Sequence, residues 1–231
     1  MKNILKTRSF KINYTENYSY SNEIKNKGYA FTNSNTFQKI QKTCNFYDVK
    51  EQDVEAFISS WNDLDIDLFM SDKGKYRTRK HATFTIQNQH KIVLKNEYIP
   101  HFQTVEYNHL NGGIARHFTE IDKDTTENPI FKNLLKFAYS TFSEIKCEDW
   151  FVEAHQFRIK AKPNSIGKPT PEGIHRDGVD FILMGVIKRQ NIQGGLTKIY
   201  DLNKKTEIQI DDALKADVGL RDVLVITFKK A

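Results

Sequence analysis

The chain has 231 residues, with 35 Lys and Arg against 29 Asp and Glu and 39% hydrophobic residues, enough for one sizeable domain with a core of its own. Its two cysteines, Cys44 and Cys147, are too few for a disulfide framework, and no apolar run approaches the roughly 18 residues of a membrane span. The formal charge of +6 is spread among acidic residues along the chain, the pattern of a solvated surface rather than of a specific nucleic-acid binder.

The start, MKNILKTRSFKINYTE, lacks the apolar segment of a secretory leader, so a cytoplasmic protein without a membrane partner is expected. Residues 1–20 are polar and read as a loosely held arm. SNEIKNKG then predicts a short helix stopped by Gly28, with YAFT as a strand after it. In DVKEQDVEAFISSWNDLDID, Val54, Phe57, Ile58, Trp61 and Leu64 share one helical stripe. KGKYRTRKH at 73–81 is the densest basic cluster. It reads as a phosphate contact, as an exposed strand or as an inward-facing pair of arginines.

YRTRKHATFTI and KIVLK predict strands, and NPIFKNLLKFAYSTFSEIK predicts a helix opened by Pro129. WFVEAHQFRIKA, GVDFILMGVI, LTKIYDL, KTEIQI and LRDVLVITF follow as strands, rich in β-branched and aromatic residues. Early helices and late antiparallel strands predict a single α+β domain over 1–231, its strands forming a sandwich or barrel with helices packed outside.

One short stretch carries chemistry. In EGIHRDGVDF, His175 and Asp177 stand two positions apart, and in a strand such residues project to one face. Two histidines and a carboxylate on one side of an ion make the facial triad of non-haem iron oxygenases. With seven histidines in the chain, an HxD also arises by chance, and a surface turn before Gly178 is the other reading. The context is a loop with Pro169 and Pro171, an apolar strand, Gly194-Gly195, and Arg221 opening the last strand. The fixed fork of an arginine suits a buried carboxylate, and Arg221 shares its strand face with Val223, Val225 and Thr227. An ordinary strand-edge arginine is the alternative.

Taken together, KGYAFT, AHQFRIKA, EGIHRDGVDFILMGVI, QGGLTKIYD and RDVLVITF, in that order over about residues 25–231, resemble the bacterial 2-oxoglutarate/Fe(II)-dependent dioxygenases of free amino acids, the family that includes L-isoleucine 4-hydroxylase. The resemblance implies a double-stranded β-helix (jelly roll, cupin-like) with flanking helices. It implies Fe(II), 2-oxoglutarate and O2 as cofactors, and hydroxylation of a free L-amino acid with release of succinate and CO2. It makes His175 and Asp177 iron ligands and Arg221 the grip on 2-oxoglutarate. Gln156 and Arg158 fall near cosubstrate or substrate, and Arg77, Arg79 and Arg116 around the substrate pocket, with solvated surface the alternative for each arginine. His155 points away from Gln156 and Arg158 on a regular strand and reads as a packed histidine.

The family has a second iron-binding histidine after the HxD, and here no histidine follows His175. Only 25 residues separate Gly195 from Arg221. A stretch absent from the sequence, marked by a break between Tyr200 and Arg221, is the expectation. The alternatives are a non-catalytic metal- or 2-oxoglutarate-binding protein on the same fold, and an upstream substitute such as His155.

Overall fold

The computed structural model describes residues 9–11, 18–33, 46–110, 112–162, 167–168, 175–192, 197–201, 206–210 and 219–231. Seven antiparallel strands make the main sheet. Their order is β1 (Ser9–Lys11), β4 (Ile92–Lys95), β3 (Arg77–Gln87), β7 (Trp150–Ala161), β11 (Gly219–Lys230) and β8 (Phe181–Gln190), with β2 (Asp65–Ile66) also against β3. Two-stranded sheets form from β5 (His101–Phe102) with β6 (Ala115–Arg116), and from β9 (Thr197–Asp201) with β10 (Thr206–Ile210). The helices are α1 (Tyr18–Lys27), α2 (Glu51–Ser59) running into a 3-10 turn at Ser60–Asp63, α3 (Lys123–Glu127) and α4 (Pro129–Ser143).

Strand register decides what each face of the sheet carries, because residues paired across a ladder point the same way. Ala82 pairs with Ala154, Phe84 with Val152 and Ile86 with Trp150, while Ile226 and Phe228 of β11 continue those rows. This face is apolar. It packs against Phe57, Trp61, Leu135, Ala138, Tyr139 and Phe142 of α2, the 3-10 turn and α4 to form the core. The opposite face carries Arg77, Arg79, His81, Glu153, His155, Phe157 and Arg221. It is buried as well, so β3 reads as a nearly unbroken buried strand although eight of its eleven side chains are polar. A sheet covered on both sides, apolar toward helices and polar toward a second layer, is the arrangement that can hold a reaction chamber.

Local signals explain the helices. Asn128 caps α4 by accepting a hydrogen bond from the Ile130 N–H at 2.9 Å, with Pro129 at the first helical position. Gly28, at φ +83°, ends α1 in the left-handed region. One expectation fails: YAFT forms no strand, and residues 29–33 carry no regular structure. Within residues 1–20, Ser9–Lys11 pairs with Ile92–Leu94 and Tyr18 begins α1. Among the described residues no helix is long and apolar enough to cross a membrane. Gly194, Gly195, Pro169 and Pro171 lie outside the described residues, as do 202–205 and 211–218, where the break was expected.

Candidate active site

On the polar face, His81 of β3 lies directly opposite His155 of β7, and the two rings stack at 4.7 Å. His101, on β5, meets the His155 ring edge-on at 4.8 Å. Glu153, two residues from His155 and therefore on the same face, joins them. Its Oε1 lies 3.1 Å from His81 Nε2 and 2.9 Å from His101 Nδ1. The donor atoms of His81, His101, Glu153 and His155 all fall within 4.8 Å of one another, a set able to hold a metal ion.

Electrostatics fixes which atoms carry protons. Burial would raise the Glu153 carboxyl, but the hydrogen bonds from His101 and His81 bring it down to about 2. It is therefore an acceptor only, and both rings must donate to it. Burial lowers His101 to about 4, against the pull of Glu153 and helped by the charges of Arg79 and Arg116. Burial, then Arg79, holds His155 well below the ordinary histidine range. His101 is thus neutral with its proton on Nδ1 and its lone pair on Nε2. Arg79 NH2, which can only donate, lies 2.8 Å from His155 Nδ1, so neutral His155 carries its proton on Nε2.

Arg79 is sandwiched between Phe118 and Phe157, 3.7 and 4.5 Å from the ring centroids. Burial lowers it to about 9, with Asp67 opposing. Asp67, itself buried, binds Arg77 at 2.8 Å and lies 3.6 Å from Arg79. Arg116 pairs with His101 across the β5–β6 ladder and donates to Gln103 Oε1 at 3.2 Å.

The segment with His175 and Asp177 stands at the edge of this chamber. Asp177 Oδ1 lies 3.3 Å from His175 Nε2 and accepts from Gln103 Nε2 at 3.3 Å. Burial would raise the Asp177 carboxyl, but the His175 contact and the Gln103 amide hold it below the usual carboxylate range. The pair does not sit on a strand, as the spacing predicts, but on an irregular segment ahead of β8. A bend at Gly178 takes the place of strand alternation. Gly178 has φ +68°, and a Cβ there would come within 2.5 Å of the Tyr107 ring. The HxD segment therefore rests directly on the β5–β6 connection.

The other expected residues divide sharply. Arg77, Arg79 and Arg116 are buried on the chamber side rather than solvated. Gln156 and Arg158 lie on the helix-covered face instead. Gln156 donates to Ser60 Oγ at 2.8 Å, and Arg158 binds Asp222 through two bonds of 2.6 and 2.7 Å and Asn62 at 3.0 Å. Strand alternation turns them away from His155 and Arg79. Arg221 is buried on the chamber face, donating to Thr197 Oγ1 at 2.8 Å, but at the far end of its strand. Glu153 pairs with Thr227 and Ile159 with Arg221. Six residues at about 3.3 Å each put Arg221 roughly 20 Å along β11 from the Glu153 row. A five-carbon diacid is roughly 6 Å long, so the structure does not bring Arg221 to the HxD pair.

Sequence reasoning missed Glu153, His101, His81 and Gln103. The pattern Glu153-x-His155 in WFVEAHQF has the same two-residue spacing as the HxD, but its meaning depends on His81 falling opposite it, which only the register supplies.

Comparison with known proteins places this arrangement. The family model described as 2OG-Fe dioxygenase matches residues 58–227. The chain is 27% identical over 127 residues to L-isoleucine-4-hydroxylase of Bacillus thuringiensis, covering 51% of each protein. It is 23% identical over 152 residues to the bifunctional enzyme flvA of Aspergillus flavus, covering 60% of this chain and 18% of that one. The chain thus spans about half, or less, of the curated relatives it matches. A solved bsmA homolog from Methylobium petroleophilum PM1 superposes with a TM-score of 0.67 at 28% identity, over 78% of this chain and 82% of that one. The solved IDO of Bacillus thuringiensis superposes with a TM-score of 0.71 at 16% identity, over 92% and 98%. That likeness shows the α+β jelly-roll fold expected from the sequence. With about three quarters of its length matched by one family model and its polar chamber on the inner face of that fold, the chain belongs to the 2OG-Fe dioxygenase family, whose members use Fe(II), 2-oxoglutarate and O2.

Proposed function

We propose that the chain is a cytoplasmic hydroxylase of a free L-amino acid, with Fe(II) held by His175 and Asp177. The observation that carries this reading is the His175–Asp177 pair itself, an imidazole nitrogen and an ionised carboxylate oxygen 3.3 Å apart at the mouth of a buried polar chamber. Two ligands each about 2.1 Å from an ion and at right angles stand about 3.0 Å apart, so the donor set and its spacing fit a divalent metal. Bound there, Fe(II) would couple O2 reduction and decarboxylation of 2-oxoglutarate to succinate and CO2 with hydroxylation of an unactivated carbon.

The protein's part is to bind, orient and keep water out. Arg116 is the cation closest in connection to the pair, through Gln103, and is the group we assign to a substrate or cosubstrate carboxylate. Arg79 adds charge to the same chamber, while Phe118 and Phe157 close it. Asp67 holds Arg77 and Arg79 in place by taking up part of their charge. The HxD segment is fixed from two sides, by the Gln103 amide and by Tyr107 against Gly178.

The test is an anaerobic titration with Fe(II) and 2-oxoglutarate followed by O2, scoring succinate against each of the twenty amino acids. Succinate stimulated severalfold by one of them supports the reading and names the substrate. The absence of any histidine after His175 favours a second reading, a non-catalytic metal- or 2-oxoglutarate-binding protein. Binding of both ligands with no succinate under any condition would select it.

A further inference from the structure

We infer that His81, His101 and Glu153 form a divalent-metal site of their own, suited to Zn(II), which pins β5 to the main sheet. The site shares no donor with the His175–Asp177 pair and stands whether or not that pair binds iron.

The three side chains come from three strands, β3, β5 and β7, and meet at one atom. Glu153 Oε1 lies 3.1 Å from His81 Nε2 and 2.9 Å from His101 Nδ1. Ligands about 2.1 Å from an ion and at right angles stand about 3.0 Å apart, so both contacts already have the spacing of neighbouring ligands. The two rings are inclined at 64°, which lets lone pairs in their planes converge. His155 belongs to the group by distance, all four donor atoms lying within 4.8 Å of one another, but not by direction. Its ring stacks on His81 at 23°, and lone pairs in near-parallel planes do not meet at one ion. Its Nδ1 also accepts from Arg79 at 2.8 Å. His155 therefore packs beside the ion.

The chemistry suits a cation. Glu153 is ionised and His101 neutral. A neutral imidazole that moves its proton to its other nitrogen offers a lone pair where it now donates, with no change of charge. The guanidinium of Arg79, which repels a cation here, is offset by Asp67 at 3.6 Å. The His101 and Glu153 side chains keep 11% and 13% of their surface exposed, against 1% for His81, so an ion enters on their side. Imidazole and carboxylate ligands with an open position are a zinc donor set. Beyond His101, the β5–β6 connection carries Gln103 and Tyr107, the contacts of the HxD segment. An ion bridging β5 to β3 and β7 holds that support in place.

The experiment adds Zn(II) to the metal-free whole chain, counts bound zinc by equilibrium dialysis and follows the histidine rings by 15N NMR. With zinc, His101 is expected to switch from the tautomer protonated on Nδ1 to the one protonated on Nε2, and His81 from Nε2 to Nδ1. This wild-type measurement needs no variant to fold. Glu153→Gln is expected to lose one zinc per chain and both switches, and Asp177→Ala to keep both switches. Zinc should raise the Tm of Asp177→Ala but not that of Glu153→Gln. Unchanged His81 and His101 tautomers at zinc saturation overturn the inference, and zinc then lost in Asp177→Ala leaves the HxD centre standing. Switches that survive Glu153→Gln overturn it too. Both switches with no zinc lost in Asp177→Ala support this site and count against the HxD reading alone.

Discussion

Replacing Gly178 by alanine tests how the HxD segment is held. Its φ of +68° lies in the left-handed region, where a Cβ costs about 1 kcal/mol. The added carbon would also stand 2.5, 2.6 and 2.8 Å from three atoms of the Tyr107 ring. Ordinary contact needs about 1 Å more, and overfilling of this kind costs about 1–3 kcal/mol. If the loop stays in place, the total is about 2–4 kcal/mol of stability. If the loop yields instead, Asp177 withdraws from Gln103, and metal affinity falls while stability is partly recovered. Urea denaturation with and without Co(II), on Gly178→Ala, Tyr107→Ala and the double variant, separates these outcomes. The ring clash predicts that Tyr107→Ala restores about half of the loss in the Gly178→Ala background, because the backbone term remains. Gly178→Ala with wild-type stability and wild-type Co(II) affinity would refute the account of how the pair is positioned.

Other substitutions probe the division between the two faces of the sheet. Arg158→Leu leaves Asp222 charged, wholly buried and stripped of its two-bond partner; a loss of about 3–5 kcal/mol in urea denaturation is expected, with Co(II) affinity within about twofold of wild type on the scale of an uncoupled site. Arg116→Met is expected to raise the apparent 2-oxoglutarate or amino-acid requirement about 10- to 150-fold, a buried charged hydrogen bond being worth about 1.5–3 kcal/mol. Arg221→Ala should change neither requirement by more than about twofold, since distant groups couple weakly. A steep 2-oxoglutarate dependence in Arg221→Ala would return that arginine to the cosubstrate site. Phe84→Ala, in the core shared by β3 and α4, should cost about 3–5 kcal/mol.

Much of this was legible from residue patterns. The stripe Phe57–Trp61 and the Asn128-Pro129 cap state their helices locally, and β-branched and aromatic runs state the long strands. The short strands β2, β5 and β6 have two residues each and carry no periodicity to read. His175 and Asp177 stood out because both lie within three residues. The Glu153–His101–His81 group was hidden because it joins three strands distant in sequence, brought together by pairing register and by a covering hairpin. Arg221 lies on the chamber face at the other end of a 12-residue strand from the Glu153 row, a separation along the strand that residue type and spacing do not reveal. Gln156 and Arg158 fall on the helix-covered face by alternation, since His155 and Phe157 beside them face the chamber.

The central claim is that this chain uses Fe(II) to divide O2 between 2-oxoglutarate and a small substrate. Turnover under 18O2, with mass analysis of succinate and of the amino-acid product, measures that division directly. The account predicts one labelled oxygen in succinate and one in the product's new hydroxyl, both dependent on Fe(II) and both lost in Asp177→Ala. Succinate free of label, or label incorporation that survives Asp177→Ala, would contradict it.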